Sequence, residues 1–220
     1  MRRGDSVNIC GRRGDVLKAA KVELPSIETC IADITDPNDQ DRLFDLAEKC
    51  GPVTALFNNA GITRMISDFS QNGSSDADIA DLFSINCIAP FQLARRMVAR
   101  GAKGGRIVQI GSIASIAPLH NQSVYCGTKA ALRHGSESVR VHVEAAGFNL
   151  SHVMTPAVDT DMTAQMGGPK ISAEILARRI AKGVDRRQKT IRPHFDCYTS
   201  EAGYRFALWF LRWFANWMYR

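Results

Sequence analysis

The chain of 220 residues, 45% hydrophobic and 23% charged, is long enough for one domain with a sizeable core and short for two. That composition excludes a disordered or collagen-like chain, and no apolar run reaches the ~20 residues that span a bilayer. The net charge of +6 is uneven: residues 178–220 hold ten Lys/Arg against three Asp/Glu, while residues 1–177 hold eighteen against nineteen. This excludes a whole-domain nucleic-acid binder and leaves a local basic surface.

In chain order, residues 7–10 read as a strand ended by Gly11, and residues 29–32 as a second. Asp36-Pro37 starts a helix, with Asp as N-cap and Pro at the first helical position. Leu43, Leu46, Ala47 and Cys50 make its apolar stripe, and Gly51-Pro52 stops it. Residues 53–57 are a third strand. Residues 76–100 read as one long helix, with Ile79, Leu82, Phe83 and Asn86 on one side. A fourth strand spans 106–110, a helix 125–146, a fifth strand 148–154 and an amphipathic helix 172–189. Strands alternating with helices of this length imply β-α-β units, a parallel sheet and helices on both faces. Arg-Arg-Gly-Asp occurs at 2–5 and 12–15 and reads as two solvated turns, not as a true repeat.

The six cysteines, at 10, 30, 50, 87, 126 and 197, form no C-x-x-C pair and fall mostly in apolar runs, so a reduced, cytoplasmic setting is expected. Met1-Arg2-Arg3-Gly4-Asp5 does not read as the opening of a secretory signal. The five histidines show no ligand spacing, and no metal site is expected.

Tyr125 and Lys129 are four apart at a helix start and share a face. An ammonium beside a phenol favours the phenolate, which suits Tyr125 to proton transfer near neutral pH. Ser112 follows the strand 106–110. Parallel sheets bind ligands beyond the carboxyl ends of their strands, so Ser112 is placed to hydrogen-bond a substrate carbonyl. Asn58-Asn59-Ala60-Gly61 directly follows the strand 53–57.

Taken in order, Asn58-Asn59-Ala60-Gly61, Asn86, Ser112 and Tyr125-x-x-x-Lys129 resemble the short-chain dehydrogenase/reductase family over residues 5–165. The resemblance implies a Rossmann-like doubly wound α/β sheet and an NAD(P)-dependent oxidoreductase that interconverts a carbonyl and a secondary alcohol. It implies that Tyr125 protonates the carbonyl oxygen and that Ser112 orients and polarises it. Lys129 would lower the Tyr125 pKa and hold the nicotinamide ribose, and Asn86 would anchor a water in a proton relay. Asp33-Ile34 resembles the adenine-contacting position, Asn59, Ala60 and Gly61 the cofactor-facing loop, and Pro156 and Thr160 the segment beside the nicotinamide. Arg12, with Arg13 as backup, follows the first strand, where an arginine accommodates a 2′-phosphate; NADP is therefore favoured over NAD.

The sequence departs from the family pattern in two places. No strand followed by Thr-Gly-x-x-x-Gly-x-Gly precedes residue 7, and such a loop at a helix N-terminus cradles the pyrophosphate. The sheet is therefore read as truncated at its N-terminus, without its first strand and helix. Strands 7–10 and 53–57 should then lack their shared neighbour and expose unpaired backbone. A start missing about 20–30 residues, one strand and helix, is the favoured explanation. A catalytically inactive remnant serving as a binding or membrane-peripheral module is the alternative. The second departure is that Pro156-Ala157 stands where the family has Pro-Gly, one residue too close to Thr160.

Residues 204–219 hold eight of the seventeen aromatics and all three tryptophans. Read as a helix, they place Arg205, Arg212, Asn216 and Arg220 on a polar stripe within an apolar surface. This suits an interfacial helix, with the basic residues from Arg178 to Arg192 adding attraction to anionic headgroups, or equally a subunit contact. The division expected is a dehydrogenase-like domain over 1–192 and an aromatic tail over 193–220. The expected partners are a small, lipophilic carbonyl or alcohol and a second copy of the chain, with no nucleic acid. Peripheral membrane contact through 204–220 is the further reading.

Overall fold

The computed structural model describes residues 5–64 and 75–218, with side chains to residue 209. The first Arg-Arg-Gly-Asp and the apolar side chains from Phe210 onward therefore fall outside the described residues.

The elements in order are β1 (Val7–Gly11), α1 (Gly14–Glu23), β2 (Ile27–Ile31), α2 (Pro37–Lys49) and β3 (Ala55–Asn58). Then come α3 (Asp76–Phe83), a π-helical turn Ser84–Ile88, α4 (Ala89–Arg100), β4 (Arg106–Ile110), α5 (Ser123–Ala145) and β5 (Asn149–Val153). Short β6 (Val158–Asp159) and β7 (Ile171–Ser172) lead into α6 (Ala173–Asp185), β8 (Thr190–Ile191) and α7 (Phe195–Met218). All described strand pairs are parallel.

Parallel strands need crossovers, and the helices supply them on both faces of the four-stranded sheet β3-β4-β5-β8. On one face Ile107 and Leu150 pack against Leu93 and Met97 of α4 and Val143 of α5. On the other, Val108 and Val153 pack against Leu176, Ile180 and Val184 of α6. The alternation along β4 and β5 thus fills two cores, one on each face of the sheet. β1 and β2 form a separate two-stranded sheet. Among the described residues nothing pairs with the second edge of β1 or of β3, as the missing shared neighbour implies.

Several elements differ from the reading of the sequence. α1 was not expected: Arg13 at its N-cap makes no side-chain cap, only Leu17 is buried, and the second Arg-Arg-Gly-Asp opens this helix instead of forming a turn. The long helix is interrupted by the π-helical turn, with Pro90 near the start of α4. In α2 the buried side chains are Gln40 and Phe44, and Cys50 is exposed. The extra partner is polar: Gln40 Nε2 donates to the Ile34 carbonyl at 2.6 Å and to Gln92 Oε1 at 2.8 Å. The 172–189 helix ends at Asp185, since residues 190–191 pair with β5.

α7 begins at Phe195, earlier than the aromatic run suggests, because its first turns are bound to the domain. Cys197 Sγ donates to the Met154 carbonyl at 2.9 Å. Glu201, 6% exposed, accepts from Arg192, from Arg133 of α5 at 3.4 Å and from Arg205 at 3.3 Å. Within the basic run Arg178 pairs with Glu174, Lys189 pairs with Glu144, and Arg179 donates to the Pro193 carbonyl. Among the described residues no helix is long and apolar enough to cross a membrane, and no cluster of His, Cys, Asp or Glu is arranged to hold a metal ion.

Candidate active site

The site is assembled around the carboxyl end of β4. Ser112, two residues past the strand, has extended backbone and caps the 3-10 turn Ile113–Ser115, its hydroxyl accepting from the Ala114 N–H at 3.1 Å. α5 starts at Ser123, so Tyr125 and Lys129 occupy its first two turns. The Ser112 hydroxyl and the Tyr125 phenol face the same cleft, close enough for Ser112 to act on the Tyr125 pKa. Lys129 Nζ donates to the carbonyl of Ile110, the last residue of β4, at 3.0 Å, and lies 5.7 Å from the centre of the Tyr125 ring. One strand end thus fixes the serine through the chain and the lysine through a hydrogen bond.

The electrostatics depart from expectation at Tyr125. Burial raises its pKa, Ser112 opposes the rise, and Lys129 is not among the groups that shift it. Lys129, 6% exposed, is itself pulled down to about 8 by burial, with Cys87 opposing. Burial disfavours the charged form of each group, so the tyrosine stays a phenol near neutral pH.

Asn86 lies in the π-helical turn, an insertion frequently found at functional sites. Its Oδ1 accepts from the Ile62 N–H at 2.8 Å, and its Nδ2 donates to the Ile62 carbonyl at 2.8 Å and to Thr128 Oγ1 at 3.2 Å. Its side chain therefore braces the loop after β3 against α5, one residue from Lys129. In that loop Gly61 has no room for a side chain: a Cβ would sit 3.2 Å from Asn86 Oδ1 and 3.7 Å from Lys129 Nζ. Asn58, in contrast, turns inward and donates to the Pro90 carbonyl at 2.9 Å and to Gln109 Oε1 at 3.0 Å, a structural role.

Ser112, Tyr125 and Lys129 open into a cleft of about 680 Å³, which Asn59, Ala60, Gly61, Pro156 and Thr160 also line. Its remaining wall is mostly apolar, with Leu119, Val158, Met162, Met166, Leu176 and Ile180. Thr160 is exposed and caps the short turn Asp161–Thr163.

Arg12, Arg13, Asp33 and Ile34 do not line this cleft; they stand at the ends of β1 and β2. Arg12 faces Asp33 at 3.8 Å, with side chains 62% and 39% exposed. Thr35 holds the Asp33 carboxylate through its N–H at 2.9 Å and its hydroxyl at 2.7 Å. These bonds, and then the Arg12 guanidinium, lower the Asp33 pKa. No acid lies between Val7 and Arg13, yet Asp33, just past β2, supplies one. Arg13 is exposed at the N-cap position of α1, its side chain making no cap, and Ile34 is buried in the core.

Two supporting residues escaped the sequence reading. Thr155 Oγ1 donates to the Gly111 carbonyl at 2.7 Å, and the Thr155 carbonyl accepts from the Ile113 N–H at 2.9 Å, clamping the chain around Ser112. His152, 1% exposed, lies directly under Gly111, where a Cβ would meet its ring at 2.3 Å. Neither ring nitrogen has a hydrogen-bond partner, and burial, with the charges of Arg133, Lys129 and Arg140, pushes its pKa down to about 3. The cue for Thr155 was its place before Pro156; no local pattern marks His152.

Fold and site together define a doubly wound α/β domain whose ligand cleft lies past the carboxyl ends of its strands. The family profile for short chain dehydrogenase matches residues 1–169, and the chain belongs to that family. It is 33% identical over 162 residues to an uncharacterized oxidoreductase, DltE, of Bacillus subtilis, covering 72% of this chain and 64% of that protein. It is 30% identical over 165 residues to the L-xylulose reductase of Mesocricetus auratus, covering 73% and 65%. The chain thus spans just under two thirds of the length of these relatives. Among solved structures it resembles a short-chain dehydrogenase from Sphingobium yanoikuyae in complex with NADPH, with a TM-score of 0.77, 25% identity, and 94% and 86% of the two chains covered.

Proposed function

We propose that this protein is an NAD(P)-dependent oxidoreductase, preferring NADP(H), that interconverts a lipophilic carbonyl compound and its secondary alcohol. The observation that carries this reading is Ser112 and Tyr125 facing one apolar cleft, with Lys129 anchored at the same strand end. The residues fit a dinucleotide at both ends. Gly61 leaves a cradle that a Cβ would fill beside Lys129, and Arg12 stands exposed at the end of β1 for a 2′-phosphate. The NADPH bound by the Sphingobium relative supports the same preference.

When bound, the nicotinamide supplies or accepts the hydride. The chain's own residues do the rest. Tyr125, kept protonated by burial, donates its phenolic proton to the carbonyl oxygen in reduction. Ser112 donates a hydrogen bond to that oxygen and stabilises the charge that develops there. Lys129 as the ammonium stabilises the phenolate left behind and meets the nicotinamide ribose. Asn86, by fixing Ile62 and Thr128, keeps Lys129 at that station. The apolar wall excludes water and takes the body of the substrate.

A cytoplasmic setting accords with six unpaired cysteines. Phe195, Tyr198, Phe206 and Trp209 are exposed along α7, which supports a covering partner there; we infer a second copy of the chain, with a membrane surface as the other reading.

The test is Tyr125→Phe, read by NADPH-dependent carbonyl reduction and by the thermal shift that NADPH produces. Turnover should fall by about 10²- to 10⁴-fold with the shift retained. Near-normal turnover in the variant removes Tyr125 from the mechanism. A folded wild-type protein showing no shift at saturating NADPH would instead favour a non-catalytic binding module.

A further inference from the structure

Cys10 and Cys30 are register partners in the parallel pair β1–β2. Partners in parallel strands point to the same face, and their Cα atoms stand about 4.8 Å apart, inside the ~4.4–6.8 Å that a disulfide bridges. Both thiols are free, Cys10 at the surface and Cys30 beneath it. The buried one has a cation beside it: Arg42 Nη1 of α2 donates to Cys30 Sγ at 3.4 Å. A guanidinium in contact with the sulfur is the kind of neighbour that reactive cysteines have. The Arg42 pKa is raised in turn, by Asp39 first and then by Cys30.

Cys30 is not sealed off. It lines a second cleft, of about 590 Å³, with Leu17 and Lys18 of α1 and Arg42, Asp45 and Lys49 of α2. Asp45 is paired with Arg100 at 2.6 Å and Arg42 with Asp39, which leaves Lys18 and Lys49 as the cations facing a small or anionic reactant. This cleft is separate from the one that holds Ser112, Tyr125 and Lys129, and none of its residues serves the reaction proposed above.

We propose that Cys30 and Cys10 form a redox-active pair that closes to a disulfide when Cys30 meets a hydroperoxide. The Cys30 thiolate attacks the O–O bond, takes one oxygen as a sulfenic acid and releases the alcohol, or water from hydrogen peroxide. The Cys10 thiolate then attacks the Cys30 sulfur, the S–S bond forms, and hydroxide leaves as water with the remaining thiol proton. The two thiols are oxidised by two electrons and the peroxide is reduced by two. A thiol reductant reverses the bond by exchange. Transient disulfides of this kind are what thiols in a reducing compartment use for sensing. The pair sits two residues before Arg12 and three before Asp33, so closing it also strains the ion pair at the strand ends; that consequence, unlike the bond, rests on the proposed cofactor reading.

The experiment treats the native chain with hydrogen peroxide, blocks the remaining thiols and maps the peptides by mass. The expected result is a loss of about 2 Da in the intact chain, the two thiol hydrogens, with a Cys10–Cys30 linked peptide that a thiol reductant removes. In Cys10→Ser, whose position is exposed, Cys30 should instead accumulate as a sulfenic acid trapped by dimedone. Linkage of Cys10 to Cys50, whose thiol lies 3.9 Å from Asn8 Oδ1 on the same face, would overturn the proposal. So would dimedone labelling confined to Cys10, or an unchanged chain mass under conditions that oxidise a control dithiol.

Discussion

The β4–β5 half of the molecule and the β1–β2 half carry the same alternation of strand and helix, yet they are held very differently. In β4, Ile107, Val108 and Gln109 are wholly buried, and both β4 and β5 have strand partners on each edge. β1 holds no buried residue, and α1 buries only Leu17. Ser112, Asn86 and Lys129 belong to the first half and are fixed by hydrogen bonds in a dry site. Arg12 and Asp33 belong to the second and meet at 3.8 Å in open solvent. The groups assigned to the chemistry are thus organised in advance by a complete core, whereas the groups assigned to the adenosine end sit on a two-stranded ribbon with little burial of its own. A two-stranded unit is marginal alone, and here it leans on α1 and α2.

The comparison is broken most directly by emptying each core. Leu150→Ala, at a fully buried position, should lower stability by about 2–5 kcal/mol. Leu17→Ala should fall at or below the bottom of that range, since little else packs on it. Urea unfolding of both variants measures the contrast, and equal losses would show that the two halves unfold as one equally packed unit.

Acid sharpens it next. His152 has a folded-state pKa of about 3, so between its ordinary value of 6.5 and 3 the unfolded chain takes up a proton that the folded chain refuses. Its contribution to stability is full above that window and drains as pH falls through it, by on the order of 4 kcal/mol at the lower end. His152→Leu should flatten this limb relative to its own stability at pH 7. An unchanged slope would mean that the buried imidazole is not what acid attacks.

A smaller effect is expected at Gly111, where any Cβ meets the His152 ring at 2.3 Å. Gly111→Ala should cost about 1–3 kcal/mol by overpacking, and the loss should shrink in a His152→Ala background. Purely additive losses would place the strain elsewhere. The smallest stability change belongs to Arg12→Ala: an exposed pair is worth at most ~1 kcal/mol. The same variant should bind NADPH more weakly without weakening NADH. Equal weakening of the two would remove Arg12 from 2′-phosphate recognition.

Much of the site was legible because its chemistry is local in sequence. Tyr125 and Lys129 lie one helical turn apart, Ser112 directly follows a strand, and Asn59-Ala60-Gly61 follows another; each depends on spacing that an α-helix or a strand end reproduces in any fold. The cap of α2 was legible for the same reason: Asp36 Oδ1 accepts from the Asn38 N–H at 2.8 Å. What stayed hidden needed contacts between distant segments. The Arg12–Asp33 ion pair spans two strands. The clamp of Thr155 on Gly111 spans 44 positions. The short β8 is a strand only because β5 offers it an edge.

Sequence alone therefore determined most of the alternation of elements, the order of the motifs and the residues assigned to the chemistry, since helical period, strand run and capping are properties of neighbouring residues. Only the tertiary structure decided the state of those residues. Burial, not the nearby lysine, sets the Tyr125 pKa, and burial likewise brings Lys129 down to about 8. Desolvation is a property of everything packed around a group, and that packing is assembled from segments far apart in the chain.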